Sequence, residues 1–439
     1  MRGYMSIIVA IIIFGLLIFI HEMGHFLLAK KNGIRVVEFS IGFGPRLFSF
    51  EKGDTRYSLK LFPFGGACQM LGEDYYGEEE VDLDHENSFE SKSVWARIAV
   101  IFAGPLFNML LAFLLAIVVM SLAGYDEPFV SKVEKGSPLD EAGLKEGDLI
   151  TEFDGESITL SRELMLQLYV NPVSKEDVTI TYERDGKEYT VTVTPQYKKT
   201  YALGISYMAD DNPASLDAIA EDSAFYKAGV KDGDIITKIG DVQISSGREL
   251  YEYFETNPLD DSELEYTLTR DGEEYVIKVA AQESGEGYSL GFGYNTARVK
   301  TNAPDTIKYS FAEIKYQIKS VVKSLGLLFK GELGADDFTG PVGIVDIIDD
   351  TYEASKEDGG FYVFLNIANL TLLISANLGM MNLLPIPGLD GGRLVFLLIE
   401  AIFKKPVPKK FEGVVTAACM ILIMMFAVYV MFNDISRLF

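Results

Sequence analysis

The chain has few of the side chains that carry most metal and redox chemistry: three histidines, two cysteines and one tryptophan in 439 residues. Cys68 and Cys419 are too few for a disulfide-stapled secreted scaffold or a cysteine zinc finger. Imidazole chemistry is confined to His21, His25 and His85. Basic residues are also in short supply, 39 against 64 acidic ones, and the net charge of −25 argues against a nucleic-acid partner. What is abundant is apolar: 48 % of residues, including 29 Phe and 23 Tyr, which excludes a mostly disordered polymer. A mean hydropathy of +0.15 in so charged a chain implies that apolar and acidic residues are segregated.

Four apolar runs bear this out: 5–20 with its continuation 26–29, 98–122, 361–403 and 414–432. Each is long enough for a membrane-crossing helix, which needs about 20 residues. The third is too long for one straight helix and contains Pro385, Pro387 and Asp390. The simplest fold is a multi-pass α-helical membrane protein with about four transmembrane helices. Lys30, Lys31 and Arg35, then Lys92 and Arg97, then Lys404, Lys405, Lys409 and Lys410 flank the spans on one side, which the positive-inside rule makes cytoplasmic. Both termini then face out, and so does the segment between spans two and three. Residues 126–300 hold 36 acidic and 17 basic residues, as suits a solvated exterior domain. Lys30 and Lys31 on the far flank, with no small-residue cleavage site, argue against reading the first span as a signal peptide.

The exterior segment is duplicated. Ala142-Gly143-Leu144-Lys145-Glu146-Gly147-Asp148 recurs 86 residues on as Ala228-Gly229-Val230-Lys231-Asp232-Gly233-Asp234. The same offset relates Arg162-Glu163-Leu164 to Arg248-Glu249-Leu250 and Arg184-Asp185-Gly186 to Arg270-Asp271-Gly272. Alternating strands around Asp-Gly hairpins are expected in both copies. The pattern from Ser137 to Ile150 resembles the circularly permuted PDZ domain of bacterial proteases, an α+β module. Leu203-Gly204-Ile205 and Leu290-Gly291-Phe292 look like its carboxylate-binding loops, which in that family grip peptide C-termini by strand addition. A β-rich spacer with no ligand is the alternative. Beyond the repeats, Ile307, Phe311, Ile314, Ile318, Val321, Val322 and Leu325 recur at helical spacing among lysines, which predicts an amphipathic helix on the membrane surface.

His21-Glu22-Met23-Gly24-His25 is an HExxH pattern inside the first span. Positions four apart share a helix face, so both imidazoles can reach one metal ion, with Glu22 beside it as a potential general base. Two imidazoles and a carboxylate leave zinc a position for water, whose pKa falls to about 7. An ionisable group inside a membrane span is costly, roughly 2.5–3.5 kcal/mol on insertion scales, which favours a functional role. Asp390, in Leu389-Asp390-Gly391-Gly392 after the two prolines, is the natural third ligand, a helix-capping aspartate being the alternative. His85, in an acidic stretch, reads as an exposed side chain.

HExxH in the first span, Asn-x-x-Pro-x-Pro-x-x-Asp-Gly in the third and PDZ modules between them resemble the site-2 protease family of intramembrane zinc metalloproteases, and most closely the bacterial regulator-of-sigma proteases with two PDZ domains. The likeness also covers residues 39–45, Gly65-Gly66, Ala103-Gly104-Pro105-Leu106-Phe107-Asn108 and Gly340-Pro341-Val342-Gly343-Ile344. It implies Zn2+ held by His21, His25 and Asp390, Glu22 as catalytic base, and Asn377, Asn382, Pro385 and Pro387 as substrate-holding residues. It implies a re-entrant β-hairpin over 36–64 turning near Lys52-Gly53-Asp54, and a place in the bacterial cell membrane with the PDZ domains extracytoplasmic. Substrates would be single-pass membrane proteins in contact with membrane lipid, such as a trimmed anti-sigma factor, or signal-peptide remnants.

The expected organisation is 1–124, N-terminal membrane part; 125–208 and 209–296, first and second PDZ domains; 297–360, amphipathic linker; 361–439, C-terminal membrane part. Two other classes compete: a non-proteolytic PDZ-bearing scaffold, for which a degraded HExxH is expected, and a metal transporter, which would place ligands in more spans.

Overall fold

A computed structural model describes residues 4–72, 85–334 and 337–437 and divides the chain into two compact units. One holds residues up to 128, 159–166 and those from 296 onward; the other holds 129–158 and 167–295. The side chain of His85 lies outside the described residues.

The first unit is built on helices α1 (Tyr4–Lys31), α2 (Val94–Ala123), α3 (Ala303–Lys330), α4 (Pro341–Lys356), α5 (Gly360–Asn382), α6 (Asp390–Phe403) and α7 (Lys409–Arg437). Of these, α1, α2, α5 and α7 are long and apolar enough to cross a membrane, matching the four runs. The third run is broken as its prolines require. Helix α5 stops at Asn382, the chain turns through Pro385 and Pro387, which have no N–H to donate, and α6 restarts at Asp390. At 14 residues α6 is about 21 Å long, too short for a hydrocarbon core of about 30 Å.

Between α1 and α2 run two long antiparallel strands, β1 (Val36–Lys52) and β2 (Thr55–Met70), turning at Gly53-Asp54. The turn lies where the sequence puts it, but the hairpin extends six residues past the expected end. Its register is doubled: Phe39 faces both Cys68 and Tyr57, and Ser40 both Ala67 and Ser58. The ribbon therefore folds over on itself and lays its last residues along α1.

Helix α3 buries several polar side chains and exposes several large apolar ones. Ile307, Phe311, Ile318, Val322 and Phe329 are exposed, while Thr306, Ser310, Glu313 and Gln317 are buried. Ile314 packs on Ala112 and Ala116 of α2, and the rings of Phe113 and Phe311 meet at 4.5 Å. The exposed side also carries Lys308 and Lys315, and the buried side also holds Ala312 and Leu327, so each face is mixed. The buried side is satisfied by Arg162, which donates to Glu313 at 2.9 Å and to both oxygens of Asp126.

The second unit contains both repeats apart from residues 159–166, which belong to the first. Each has a four-stranded antiparallel sheet with a two-residue outer strand: Glu156–Ser157, Leu149–Phe153, Val178–Arg184, Lys187–Val193 in the first; Val242–Gln243, Ile235–Ile239, Glu263–Arg270, Glu273–Ala280 in the second. The Asp-Gly hairpins form as expected, with Asp185 and Gly186 both at positive φ. The repeated Arg and Asp are each other's partners: Arg184 is paired with buried Asp148, and Arg270 with buried Asp234.

The domain boundary expected at 208/209 does not follow the strand pairing. The strand Phe292–Tyr294 pairs with Val130–Val133 and so completes the first repeat, with Gly291 against Ser137. Ile205–Tyr207 pairs with Leu216–Ile219, and Leu203 is buried in the second repeat's core with Leu216 and Phe225. A two-stranded ribbon, Gln196–Ala202 against Gln282–Ser289, carries each completing strand across. The permuted order therefore holds for the first repeat only; the second is a contiguous stretch, 203–281, inserted into the first.

Candidate active site

Helix α1 carries His21 and His25 one turn apart on the face that meets α2, and the two helices touch backbone to backbone. A Cβ on Gly24 would lie 2.3 Å from the Ala103 carbonyl oxygen, and one on Gly104 would lie 2.2 Å from His25 Nε2. The Ala103-Gly104 stretch thus leaves room for the imidazoles where any larger residue would fill it.

Three donor atoms converge here. His21 Nε2 and His25 Nε2 are 3.2 Å apart, and Asp390 Oδ2 lies 3.1 Å from the first and 3.4 Å from the second. Ligands about 2.0–2.1 Å from a tetrahedral zinc stand roughly 3.3 Å from one another, so the spacing fits that ion. Asp390 Oδ2 is buried and makes no well-formed hydrogen bond, an arrangement that a metal ion would satisfy. This is the only group of three such ligands among the described residues. Asp390 is the first residue of α6, but its carboxylate turns to the histidines.

The imidazoles are aimed from behind. His25 Nδ1 is 2.9 Å from the Val100 carbonyl oxygen, so it donates there and leaves Nε2 as the acceptor for a metal. Behind His21 lies Asn108 of α2, its Nδ2 3.3 Å from His21 Nδ1 while its own buried Oδ1 has no partner. With the amide turned the other way, Oδ1 would accept from His21 Nδ1–H and leave Nε2 free. The sequence includes Asn108 in a motif but offers no signal of this role, which depends on α2 lying against α1.

Glu22 shares a cavity of about 300 Å³ with the two histidines and Asp390, and its carboxylate accepts from the Cys68 N–H. The end of β2, Ala67–Met70, forms one wall. Glu38 and Lys60 of the hairpin also line it; Glu38 is held by Arg46 at 2.8 and 3.0 Å and by Ser58 at 2.6 Å. Asn377, Asn382, Pro385 and Pro387 are not among the lining residues: the asparagines lie on α5, and the prolines in the loop before Asp390.

The model of peptidase family M50 matches residues 9–426. This chain belongs to peptidase family M50. Its relatives include the regulator of sigma-W protease RasP of Bacillus subtilis and the zinc metalloprotease RasP of Bacillus licheniformis, each 28 % identical over 99 % of both chains. A putative zinc metalloprotease of Thermotoga maritima is likewise 28 % identical over 99 % of each. Among solved structures, the HtrA3 PDZ domain bound to a phage-derived ligand matches 21 % of this chain and 93 % of that one, at 20 % identity and a TM-score of 0.18. As an M50 peptidase the protein is a membrane zinc metalloprotease of the site-2 protease family, and its cofactor is Zn2+.

Proposed function

We propose that this M50 peptidase cuts single-pass membrane proteins within or beside their membrane span, with His21, His25 and Asp390 as zinc ligands and Glu22 as general base. The observation that carries this reading is the convergence of three ligand atoms 3.1–3.4 Å apart in a cavity that also holds Glu22. Zinc, when bound, supplies a Lewis acid and a water of pKa about 7.

Glu22 takes the proton of the attacking water and passes it to the leaving amine nitrogen. The Val100 carbonyl and Asn108 keep the two imidazoles in the tautomer that ligates through Nε2. A helical peptide bond is shielded from attack, so the substrate must be extended. The Ala67–Met70 end of β2 offers an edge for pairing with an unwound segment, with Asn377, Asn382, Pro385 and Pro387 holding it from the α5–α6 side.

The basic flanks put those ends of the spans in the cytoplasm, and the acidic repeats and both termini outside. There the repeats act as a size filter and take peptide C-termini. A trimmed anti-sigma factor or a signal-peptide remnant is the substrate class. The name of the Bacillus subtilis relative, a regulator of sigma-W protease, supports the former.

The test is Glu22→Gln co-expressed with a tagged single-pass substrate. Cleavage is expected to stop while the protein inserts and binds zinc as before; undiminished cleavage would overturn the assignment. Asp390→Ala is expected to lower bound zinc in purified protein, and unchanged stoichiometry would remove Asp390 from the ligand set.

A further inference from the structure

A second cavity, about 410 Å³, lies far along α2 from the metal site, at the helix's C-terminal end. It is lined by Leu122 of α2, by Phe361, Tyr362, Asn366 and Asn369 of α5, and by Arg298. This volume is within the range of small-ligand sites. Arg298 is half-buried, and its backbone is fixed by pairing with Asp126. Its guanidinium donates only to neutral oxygens, the Gly124 carbonyl at 3.4 Å and Asn369 Oδ1 at 3.2 Å. No carboxylate among the described residues is within ion-pair distance of it. The nearby acids, Asp126 and Glu313, are both taken by Arg162.

We propose that this cavity binds the phosphodiester headgroup of an anionic phospholipid, with Arg298 as the partner of the phosphate. A guanidinium's fork of donors matches phosphate oxygens, and the N–H donors of Asn369 supplement it. The position selects a lipid over a soluble anion. The cavity sits where α2 ends at Ala123 and α5 begins at Gly360, the depth at which headgroups meet the hydrocarbon. Its rim is apolar: Leu122, Phe361 and Tyr362 are about half exposed, a surface along which acyl chains can lie. A zwitterionic choline lipid would set its own ammonium against the guanidinium, so a net anion is preferred.

The test uses the full-length protein, purified in detergent, stripped of lipid and presented with phosphatidylglycerol and phosphatidylcholine of matched acyl chains, with retained lipid read by native mass spectrometry. The native protein is expected to retain phosphatidylglycerol about tenfold better, the scale of one charge-assisted contact. Arg298→Lys should keep most of that preference and Arg298→Gln should abolish it. Leu122→Trp, which fills the cavity and leaves the guanidinium in place, should also abolish it, and it decides the matter if Arg298→Gln fails to fold. Equal retention of the two lipids by native protein, or an unchanged preference in Leu122→Trp, would overturn the proposal. Displacement of the lipid by millimolar inorganic phosphate would make this a soluble-anion site and overturn the lipid assignment.

Discussion

Asn108 and His21, 87 residues apart in the chain, are side by side in the fold, with the asparagine amide 3.3 Å from the imidazole Nδ1. This contact sets which nitrogen of His21 faces Asp390. Asn108→Ala is therefore expected to weaken zinc binding by about 10–100-fold, the usual effect of removing such a support. Asn108→Asp, which still accepts a hydrogen bond, should restore most of it. Competition against a chelator of known affinity measures both; an Ala variant with native affinity would remove Asn108 from the site.

Gly104→Ala adds a methyl group where His25 Nε2 lies 2.2 Å away. Alanine stabilises a helix interior by about 1 kcal/mol relative to glycine, so α2 itself should not weaken. The expected result is native helix content by circular dichroism with bound zinc and proteolysis both lost. Native zinc content would mean that the imidazoles can move aside.

The exchange of strands is testable in the intact protein by hydrogen exchange. Leu203, 4 % exposed, is in the second repeat's core, so Leu203→Ala should cost about 2–5 kcal/mol and reduce protection across 209–281. Leu290→Ala, adjoining the strand paired to Val130–Val133, should instead reduce protection across 130–193. Losses confined to 130–193 for Leu203→Ala would contradict the pairing.

Acid sensitivity follows from Asp234. Burial alone would raise its carboxyl pKa, but hydrogen bonds from Arg270, the Tyr275 hydroxyl and the Lys231 N–H outweigh this and hold it at about 2. The unfolded chain's value is about 3.9. The stabilisation is thus complete above about pH 4 and is lost as pH falls toward 2. Thermal unfolding between pH 5 and pH 2 should show this fall, and Arg270→Met should flatten that part of the curve while destabilising the repeat at pH 7. An identical pH profile in the variant would assign the acid sensitivity to other groups.

Much of this was legible because it depends on local spacing. Two histidines four apart share a helix face whatever surrounds them, and prolines at 385 and 387 break a helix in any context. The role of Asn108 was not legible, because it arises from packing between helices distant in sequence. Nor was the placement of α3: an amphipathic pattern does not reveal which side chains face the protein, and here Glu313 turns inward to meet Arg162. The strand exchange was hidden by the duplication itself. Leu203-Gly204 and Leu290-Gly291 are nearly interchangeable motifs, so the sequence pattern is the same whether each closes its own repeat or the other one. The residues 377–387 motif carries a family likeness, but none of Asn377, Asn382, Pro385 and Pro387 lines the metal cavity.

The insertion of one repeat into the other reverses the order in which they can be finished during synthesis. The second repeat has all its strands once the chain has reached about residue 281. The first, although begun some 70 residues earlier, lacks an edge strand until Phe292–Tyr294 has been made. For that interval the edge of Val130–Val133 that pairs with Phe292–Tyr294 is open. The maturing chain therefore carries an open sheet edge until its downstream neighbour is complete, and a chain truncated before residue 290 would retain that edge permanently.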